Sequence, residues 1–229
     1  MPEDKVGAVM VVGGGIAGIQ ASLDLANAGF LVYLLDPQPA ATGYVSQLDR
    51  TFQINDCDMC TMAPKVVEVA RHPNVQLLYE ATLLKLEGDA GAFMALVRHA
   101  TEDGAAREQE LAVGAVILAP DDAPYDATRR PELGYGRFPN VVVSSQFDRV
   151  LSTSGPVAWI QCVGSRDREH NYCSAICCLE ATKKAIMAKH FNPHLEPHIF
   201  IMDMRAFGKG YMDYYNQARY EYGVKYTRC

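Results

Sequence analysis

The sequence predicts an α/β protein made of two parallel βαβ domains, a larger one over residues 1–150 and a shorter, incomplete one over 151–229. Three observations predict it. A glycine-rich turn separates an apolar run from a helix-spaced segment in "VGAVMVVGGGIAGIQASLDLANAGFLVYLLD". A second strand–helix–strand order follows from "VAWIQCVGS", "CSAICCLEATKKAIMAKHF" and "HIFIMDM". Apolar residues make up 49% of the 229, enough to build a sizeable core.

The first unit begins with Val6–Val12, a short run rich in β-branched residues that reads as a buried strand. Gly13, Gly15 and Gly18 form G-x-G-x-x-G. Ile16 to Ala28 then continues as a helix, because Ile16, Ile19, Leu23 and Ala26 recur every three or four residues. Gly29 closes that helix, Phe30–Leu35 is the next strand, and Asp36 ends it. A strand before, a helix after and an acidic residue 18 positions beyond the last glycine turn a weak motif into a strong one. Gly13 permits the tight turn, Gly15 lets backbone approach a pyrophosphate, and Gly18 lets helix pack on strand. Backbone N–H groups at the helix start hold phosphates. Asp36 accepts hydrogen bonds from ribose hydroxyls and repels a 2′-phosphate, which disfavours NADP. The loop "PQPAATGYVSQLDRTF" carries Gly43, as is common where FAD lies extended, so FAD is favoured over NAD. The unit is therefore Rossmann-like and FAD-binding.

In the middle of the first domain, "FQINDCDMC" supplies a C-x-x-C pair, Cys57 and Cys60. It reads equally as a redox dithiol, half of a metal site or two packed small residues. Asp56 and Asp58 flank Cys57 and would raise its thiol pKa. "APKVVEVARH" reads as a short helix, "VQLLYEATLLKLEG" and "FMALVRHA" as strands, and "TEDGAAREQE" as an exposed turn. "LAVGAVILAP" is an apolar strand returning to the first sheet. "PDDAPYDATRRPELGYGRFPN" reads as an exposed loop and "SSQFDRVLSTSGP" as a short helix ending at a hinge.

In the second unit, "CVGSRDREHNYCSAICC" stands where a glycine-rich turn would be expected. It holds four of the seven cysteines, Cys162, Cys173, Cys177 and Cys178. With the helix starting near Cys173, Cys173 and Cys177 share a face and Cys178 lies about 100° further round. A strand end and a helix start would then offer four thiolates to one point. Adjacent cysteines strain a single zinc but reach two corners of a cubane, so a 4Fe-4S cluster is favoured; zinc, disulfides and plain packing remain alternatives.

The formal charge of −6 gives nucleic-acid binding no electrostatic support. No apolar run approaches the roughly 20 residues of a membrane span. The acidic N-terminus leads straight into a strand and not a signal peptide, which points to the cytoplasm.

The strings "VVGGGIAGIQASLDLANAGF", "TFQINDCDMCTMAPKVVEVARHPN", "ELGYGRFPNVV", "WIQCVGSRD", "YCSAICC" and "FIMDMRAFGKGYMDYYNQARYEYGV" together resemble the HdrA family, the flavin- and iron–sulfur-containing subunit of heterodisulfide reductase and its bacterial relatives. The resemblance implies a thioredoxin-reductase-like fold and an electron-transfer oxidoreductase subunit holding FAD and iron–sulfur. It implies that Cys162, Cys173, Cys177 and Cys178 are ligands of the cluster nearest the flavin. Lys183 resembles a lysine beside the isoalloxazine, the alternative being a solvated helix lysine like Lys184. Implied partners are the other subunits of such a complex, an electron donor linked to hydrogenase, formate or NADH, and a second copy in a homodimer. Methanogen members of the family serve flavin-based electron bifurcation. Three departures stand out: the family's inserted ferredoxin-like segment is absent between Thr101 and Gly114, the return strand ends "APD" (Ala119–Asp121) instead of "ATG", and the chain stops at Cys229 within the second domain, as a truncated form would.

Two other classes compete with this reading. One is a non-catalytic, zinc-stabilised scaffold fragment, which would be colourless. The other is a pyridine-nucleotide-disulfide reductase using Cys57 and Cys60, disfavoured because cysteines replace the second nucleotide motif.

Overall fold

The computed structural model describes residues 7–38, 58–101, 104–120, 124–150 and 155–229, apart from the side chains of 58–61 and 148–150. The chain forms two compact units, with the division at Ala123 and Pro124.

The first unit centres on strand β1 (Ala8–Val12), followed by α1 (Ile16–Asn27), β2 (Leu31–Leu35), α2 (Asp58–Arg71) and β3 (Val75–Leu78). Strands β4 (Thr82–Asp89), β5 (Ala92–Ala100), β6 (Ala106–Val113) and β7 (Ala115–Leu118) complete it. A parallel sheet runs in the order β3-β2-β1-β7, with Met10 opposite Tyr33 on one side and Val116 on the other. Side chains of a strand alternate between faces. Val11, Val32 and Leu34 therefore pack with Ile19, Leu23, Ala26, Met62, Val66 and Val69 of the two helices. Met10 and Leu35 point the other way and pack with Ala95, Val97, Leu111 and Val113 of an antiparallel sheet ordered β4-β5-β6. Both faces of β1 are covered, which is why its sequence is apolar throughout. Burying a side chain such as Met10 or Leu34 contributes about 1.5–3 kcal/mol.

The structure divides three stretches that the sequence pattern runs together. The apolar segment 75–88 is two strands, because Glu80 takes a left-handed φ of +47° and the chain leaves one sheet for another. Ala81 N–H donates to the Asp36 carbonyl at 2.9 Å across that break. Of the exposed turn expected over 101–110, a tight turn is closed by Thr101 N–H on the Ala105 carbonyl, at 2.9 Å. The charged residues beyond it belong to β6, where Arg98 faces Glu108 across the ladder and Leu111 and Val113 turn inward. Gly114 then separates β6 from β7, and β7 pairs with β1 as the expected return strand. Helix α2 begins at Asp58 and carries Pro64 inside it, so Cys60 lies on a helix; its side chain and all of Cys57 fall outside the described residues.

The second unit contains β8 (Val157–Ile160), α3 (Cys177–Phe191), β9 (Pro197–Ile201), α4 (Tyr211–Tyr220) and β10 (Lys225–Arg228). Its strand pairs are parallel, in the order β10-β9-β8. The unit thus holds two successive strand–helix–strand turns, where the sequence pattern predicts one. Its core gathers Trp159, Leu179, Ala185, Ile186, Leu195, Ile199, Tyr214, Ala218 and Val224. Phe147, from a 3-10 helix over Ser144–Val150, joins that core with its ring 4.9 Å from Trp159. This packing moves the boundary forward from the expected 150/151, because residues 124–150 belong with the second unit. Lys189 in the last turn of α3 donates to the carbonyls of Pro193 (2.6 Å) and Leu195 (2.9 Å), ending the helix.

Candidate functional site

Two places carry chemistry, one in each unit. In the first, β1 passes into α1 through Gly13, Gly14 and Gly15 alone. Gly13 has φ +117°, and a Cβ there would collide with the Ala119 carbonyl at the end of β7. A Cβ on Gly14 would collide with the Asp36 carboxylate, and one on Gly18 with the Gly13 carbonyl. The turn is thus pressed between two neighbouring strand ends and its own helix, and side chains are excluded by space. Gly15 is the N-cap of α1, with no side-chain cap and no acidic residue in the first turn. Ile16 beside it is exposed. The helix start therefore presents backbone N–H groups and the positive end of its dipole.

Asp36 sits directly after β2 and is 3% exposed. Its backbone N–H donates to the Leu78 carbonyl at 2.9 Å, and its carboxylate Oδ1 accepts from Gln38 N–H at 2.9 Å. These bonds hold the carboxylate against the second glycine of the turn. Gly43 and Asp121 lie outside the described residues, and Ala119 donates its N–H to the Val12 carbonyl at 2.8 Å.

In the second unit sixteen residues, Gln161 to Ile176, separate β8 from α3. Cys162 has φ +62°, Arg166 +58° and Ala175 +61°. Left-handed backbone at such residues costs about 1–3 kcal/mol each and marks a connection held by its surroundings. Gly164 has φ +72°, and a Cβ there would strike the Tyr125 ring. Ser165 N–H donates to the Cys162 carbonyl at 3.2 Å, and Arg166 N–H to that of Tyr172 at 3.0 Å.

The expected shared helical face of Cys173 and Cys177 is absent. Helix α3 starts only at Cys177, since Ala175 breaks the helical path, and Cys173 lies before it, its Sγ accepting from Ala175 N–H at 3.3 Å. The neighbouring Cys178 thiol lowers the Cys177 thiol to about 6, and the Cys177 thiol together with burial raises the Cys178 thiol above its ordinary value. Cys178 is 2% exposed and points its Sγ at the Asp203 carbonyl (3.9 Å). Cys162 thus lies at the start of the connection, Cys173 just before the helix, and Cys177 and Cys178 in its first turn. Among the described residues no group of three or more His, Cys, Asp or Glu side chains is gathered as a metal site.

Lys183 is buried on α3, 8% exposed, so it is not a solvated helix lysine. Lys184 is the outward one, paired with Glu180 at 2.7 Å and bonded to the Ser144 carbonyl at 2.5 Å. The structure adds two residues beside the cysteines that the sequence pattern does not single out as site residues, Asp203 and Arg166. Asp203, two positions past β9, takes the Arg166 guanidinium in a two-pronged ion pair (2.5 and 3.2 Å) and Arg205 Nε at 2.8 Å. The two arginines hold its carboxyl well below the usual carboxylate range, at about 2. The available signal was an arginine four places after a cysteine in "CVGSR" and another two after the aspartate in "DMR".

No protein-family model matches the chain. A thioredoxin reductase of T. acidophilum superposes on 96% of this chain and 63% of its own, with a TM-score of 0.58 at 14% identity. The fold is therefore thioredoxin-reductase-like, a Rossmann-type α/β class. A CoB–CoM heterodisulfide reductase iron-sulfur subunit of the HdrA type from Methanopyrus kandleri is 32% identical over 98% of this chain and 48% of its own length. The corresponding protein of Methanocaldococcus jannaschii is 32% identical over 96% of the chain and 47% of its own. The equivalent component of the H(2):CoB-CoM heterodisulfide,ferredoxin reductase of Methanothermobacter marburgensis is 30% identical over 99% and 47%. The chain belongs to the HdrA family of heterodisulfide reductase components and spans about half the length of the curated relatives it matches. The first match extends over 314 positions, more than the 229 residues here, so that relative carries internal residues this chain lacks. Among the described residues no helix is long and apolar enough to cross a membrane.

Proposed function

We propose that this chain is an oxidoreductase subunit that binds FAD in its first unit and a 4Fe-4S cluster in its second, passing electrons within a heterodisulfide-reductase-like complex. The observation that carries the proposal is the pairing of two βα connections, one stripped to glycine and the other laden with thiols, in a chain of this family. The glycine turn fits a dinucleotide: Cβ atoms are excluded at positions 13, 14 and 18, and an uncapped helix start adjoins them. The backbone at Gly13, Gly15 and Gly18 would hold the pyrophosphate, Asp36 the ribose and the Gly43 loop the extended remainder. Asp36 accepts from Gln38 N–H, which orients its carboxylate at the glycine turn.

The thiol donor set fits iron–sulfur ligation in residue type and in its placement along one connection and the helix start that follows it. The four thiols must draw together to complete the set, since no three of them are gathered among the described residues. When bound, FAD supplies one- and two-electron chemistry and the cluster one-electron transfer. The chain's own residues orient these groups. Buried Lys183 would place a positive charge near the reduced flavin, in a setting where charge interactions are less screened than in water. Partners are the other subunits and a donor enzyme. The names of relatives support hydrogen or formate as the source, as in the H(2)/formate:CoB-CoM heterodisulfide,ferredoxin reductase of Methanococcus maripaludis. Two acceptors in one name support a branching of electrons as the finer form of this proposal.

The test is an anaerobic purification with flavin, iron and acid-labile sulfide counted per chain, together with a visible spectrum. About one FAD and about four irons are expected. A colourless protein with stoichiometric zinc and no sulfide would refute the proposal and favour a scaffold.

A further inference from the structure

We infer that the edge of the second sheet where β8 and β9 end is a docking surface for a partner protein that presents a carboxylate-rich face around an apolar centre. Such a surface would serve the complex proposed above, and it depends on neither bound group. Charge is divided unevenly along the chain. Residues 1–123 hold 7 Lys and Arg against 17 Asp and Glu, a balance of −10, whereas residues 124–229 hold 14 against 10, a balance of +4. An acidic chain thus carries a basic second unit, the asymmetry expected of a unit that meets an anionic partner. Within that unit the parallel pairing of β8 and β9 delivers both strand ends to one edge. Gln161 N–H on the Phe200 carbonyl, at 3.0 Å, and the Arg166–Asp203 ion pair tie together the two connections that leave it. The edge exposes Ile160, Tyr172, Ile176, Met202 and Phe207. Single exposed apolar side chains are ordinary, but a group of them on one edge marks an interaction surface.

Arginines stand on aromatic rings at this edge. Arg129 lies over the Tyr125 ring, 5.9 Å from its centre, and that ring lies against Gly164 in the connection after β8. Arg205 lies over Phe207 at 6.0 Å. Arg168 and Lys209 are exposed on the same two connections. The carboxylates of Asp126, Asp167 and Asp203, by contrast, each accept hydrogen bonds from the chain itself. The edge therefore turns cations outward around apolar side chains. Arginine and aromatic residues are enriched in the centres of protein–protein interfaces, and charge complementarity selects a partner of the opposite sign. Nucleic acid fits less well, because its affinity comes from many phosphate contacts and gains little from exposed Ile, Met and Phe. A protein seated here would lie against the connection that carries Cys162 and Cys173, which suits the exchange of electrons.

The experiment purifies the full chain anaerobically from its own host, with the proteins bound to it, and treats the complex with a water-soluble carbodiimide. This reagent joins a lysine amine to a carboxylate in direct contact with it. Mass spectrometry is expected to find Lys209 joined to an Asp or Glu of another protein. Arg129→Glu combined with Arg168→Glu is expected to lower the yield of that adduct by about tenfold or more, with the Trp159 fluorescence of the folded unit unchanged. Phe207→Ser alone is expected to lower it by about threefold or more. Arg71→Glu, in the first unit, is expected to leave it as it is. The inference is overturned if no adduct forms at Lys209, if Lys209 is joined only to residues of this chain, if the partner is joined to Lys65 or Lys85 instead, or if the double variant keeps the adduct. It is overturned equally if the wild type yields no protein adduct and binds a DNA oligonucleotide or phosphatidylserine vesicles through Arg129 and Arg168. Flavin and iron counts on the same preparation judge the proposed function separately: their absence beside a Lys209 adduct overturns that reading and leaves this one standing.

Discussion

The connection from β1 to α1 and the connection from β8 to α3 occupy the same place in two parallel βαβ units, yet they differ in almost every respect. The first is three glycines long and the second sixteen residues. In the first, the acidic residue after the neighbouring strand, Asp36, lies against glycine backbone and is fixed by main-chain bonds. In the second, the acidic residue past the neighbouring strand, Asp203, is fixed by two arginine side chains. A short turn with no side chains brings a helix N-terminus to the strand ends, which suits a phosphate. A long turn moves the helix start away and fills the gap with side chains, thiols among them. The fold supplies the same frame twice, and the length and residue types of one connection decide which chemistry it can host.

The largest expected effect separates the two connections outright. Replacing Cys162, Cys173, Cys177 or Cys178 singly with serine should remove most of the iron while leaving bound flavin unchanged, whereas Cys229→Ser should remove none. Iron and flavin analysis of all five variants checks this, and flavin loss in the four cysteine variants would break the assignment of the two chemistries to separate units.

Next in size is the core of the second unit. Phe147→Ala should cost about 3–5 kcal/mol, because the ring packs on Trp159 within a close-packed cluster. Trp159 is the single tryptophan, so its fluorescence during urea unfolding reports this unit directly. An effect below about 1 kcal/mol would return residues 124–150 to the first unit.

Gly13→Val tests the short connection. The φ of +117° and the collision with the Ala119 carbonyl predict a loss of about 3 kcal/mol or more in the first unit. Circular dichroism should register it, with the Trp159 signal little changed. Asp36→Ala should weaken FAD by about 1–3 kcal/mol, the scale of a lost hydrogen bond to a charged group, read by flavin titration of the apoprotein.

The smallest effect is on pH dependence. Asp203 has a folded pKa of about 2, below its ordinary 3.8, so its ion pairs stabilise the fold above about pH 4 and are lost as pH falls toward 2. Asp203→Asn should flatten the fall in stability over that window, followed by Trp159 fluorescence in urea at stepped pH. An unaltered slope would mean the arginines lose nothing when the carboxylate is gone.

Much of the first unit is legible because its signals are local. The G-x-G-x-x-G turn, the helical spacing of Ile19, Leu23 and Ala26 and the closing Gly29, with φ +91°, each depend on neighbours within a few residues. The antiparallel layer is less legible. The break at Glu80 and the extension of β6 through "AREQE" are set by which sheet each strand joins, and charged residues alternate with inward Leu111 and Val113 only once that sheet exists. In the second unit the four cysteines are visible as a cluster in sequence, but helical spacing alone starts α3 one turn too early. Nothing local to "CSAICC" announces that Ala175 takes a left-handed conformation.

By itself, then, the sequence determined the α/β class, the glycine turn with Asp36 beyond it, the grouping of the thiols and the family they point to. These rest on periodicity, on the unique freedom of glycine and on the spacing of reactive side chains, all of which are short-range properties of the chain. Only the tertiary structure decided where the units divide, how the thiols are shared between a turn and a helix, and that Arg166 and Asp203 meet. The last pair stand 37 residues apart and are brought together by the parallel pairing of β8 and β9. Such a contact has no signature in either local segment, because it depends on which strands become neighbours and on the common direction in which a parallel sheet delivers their ends.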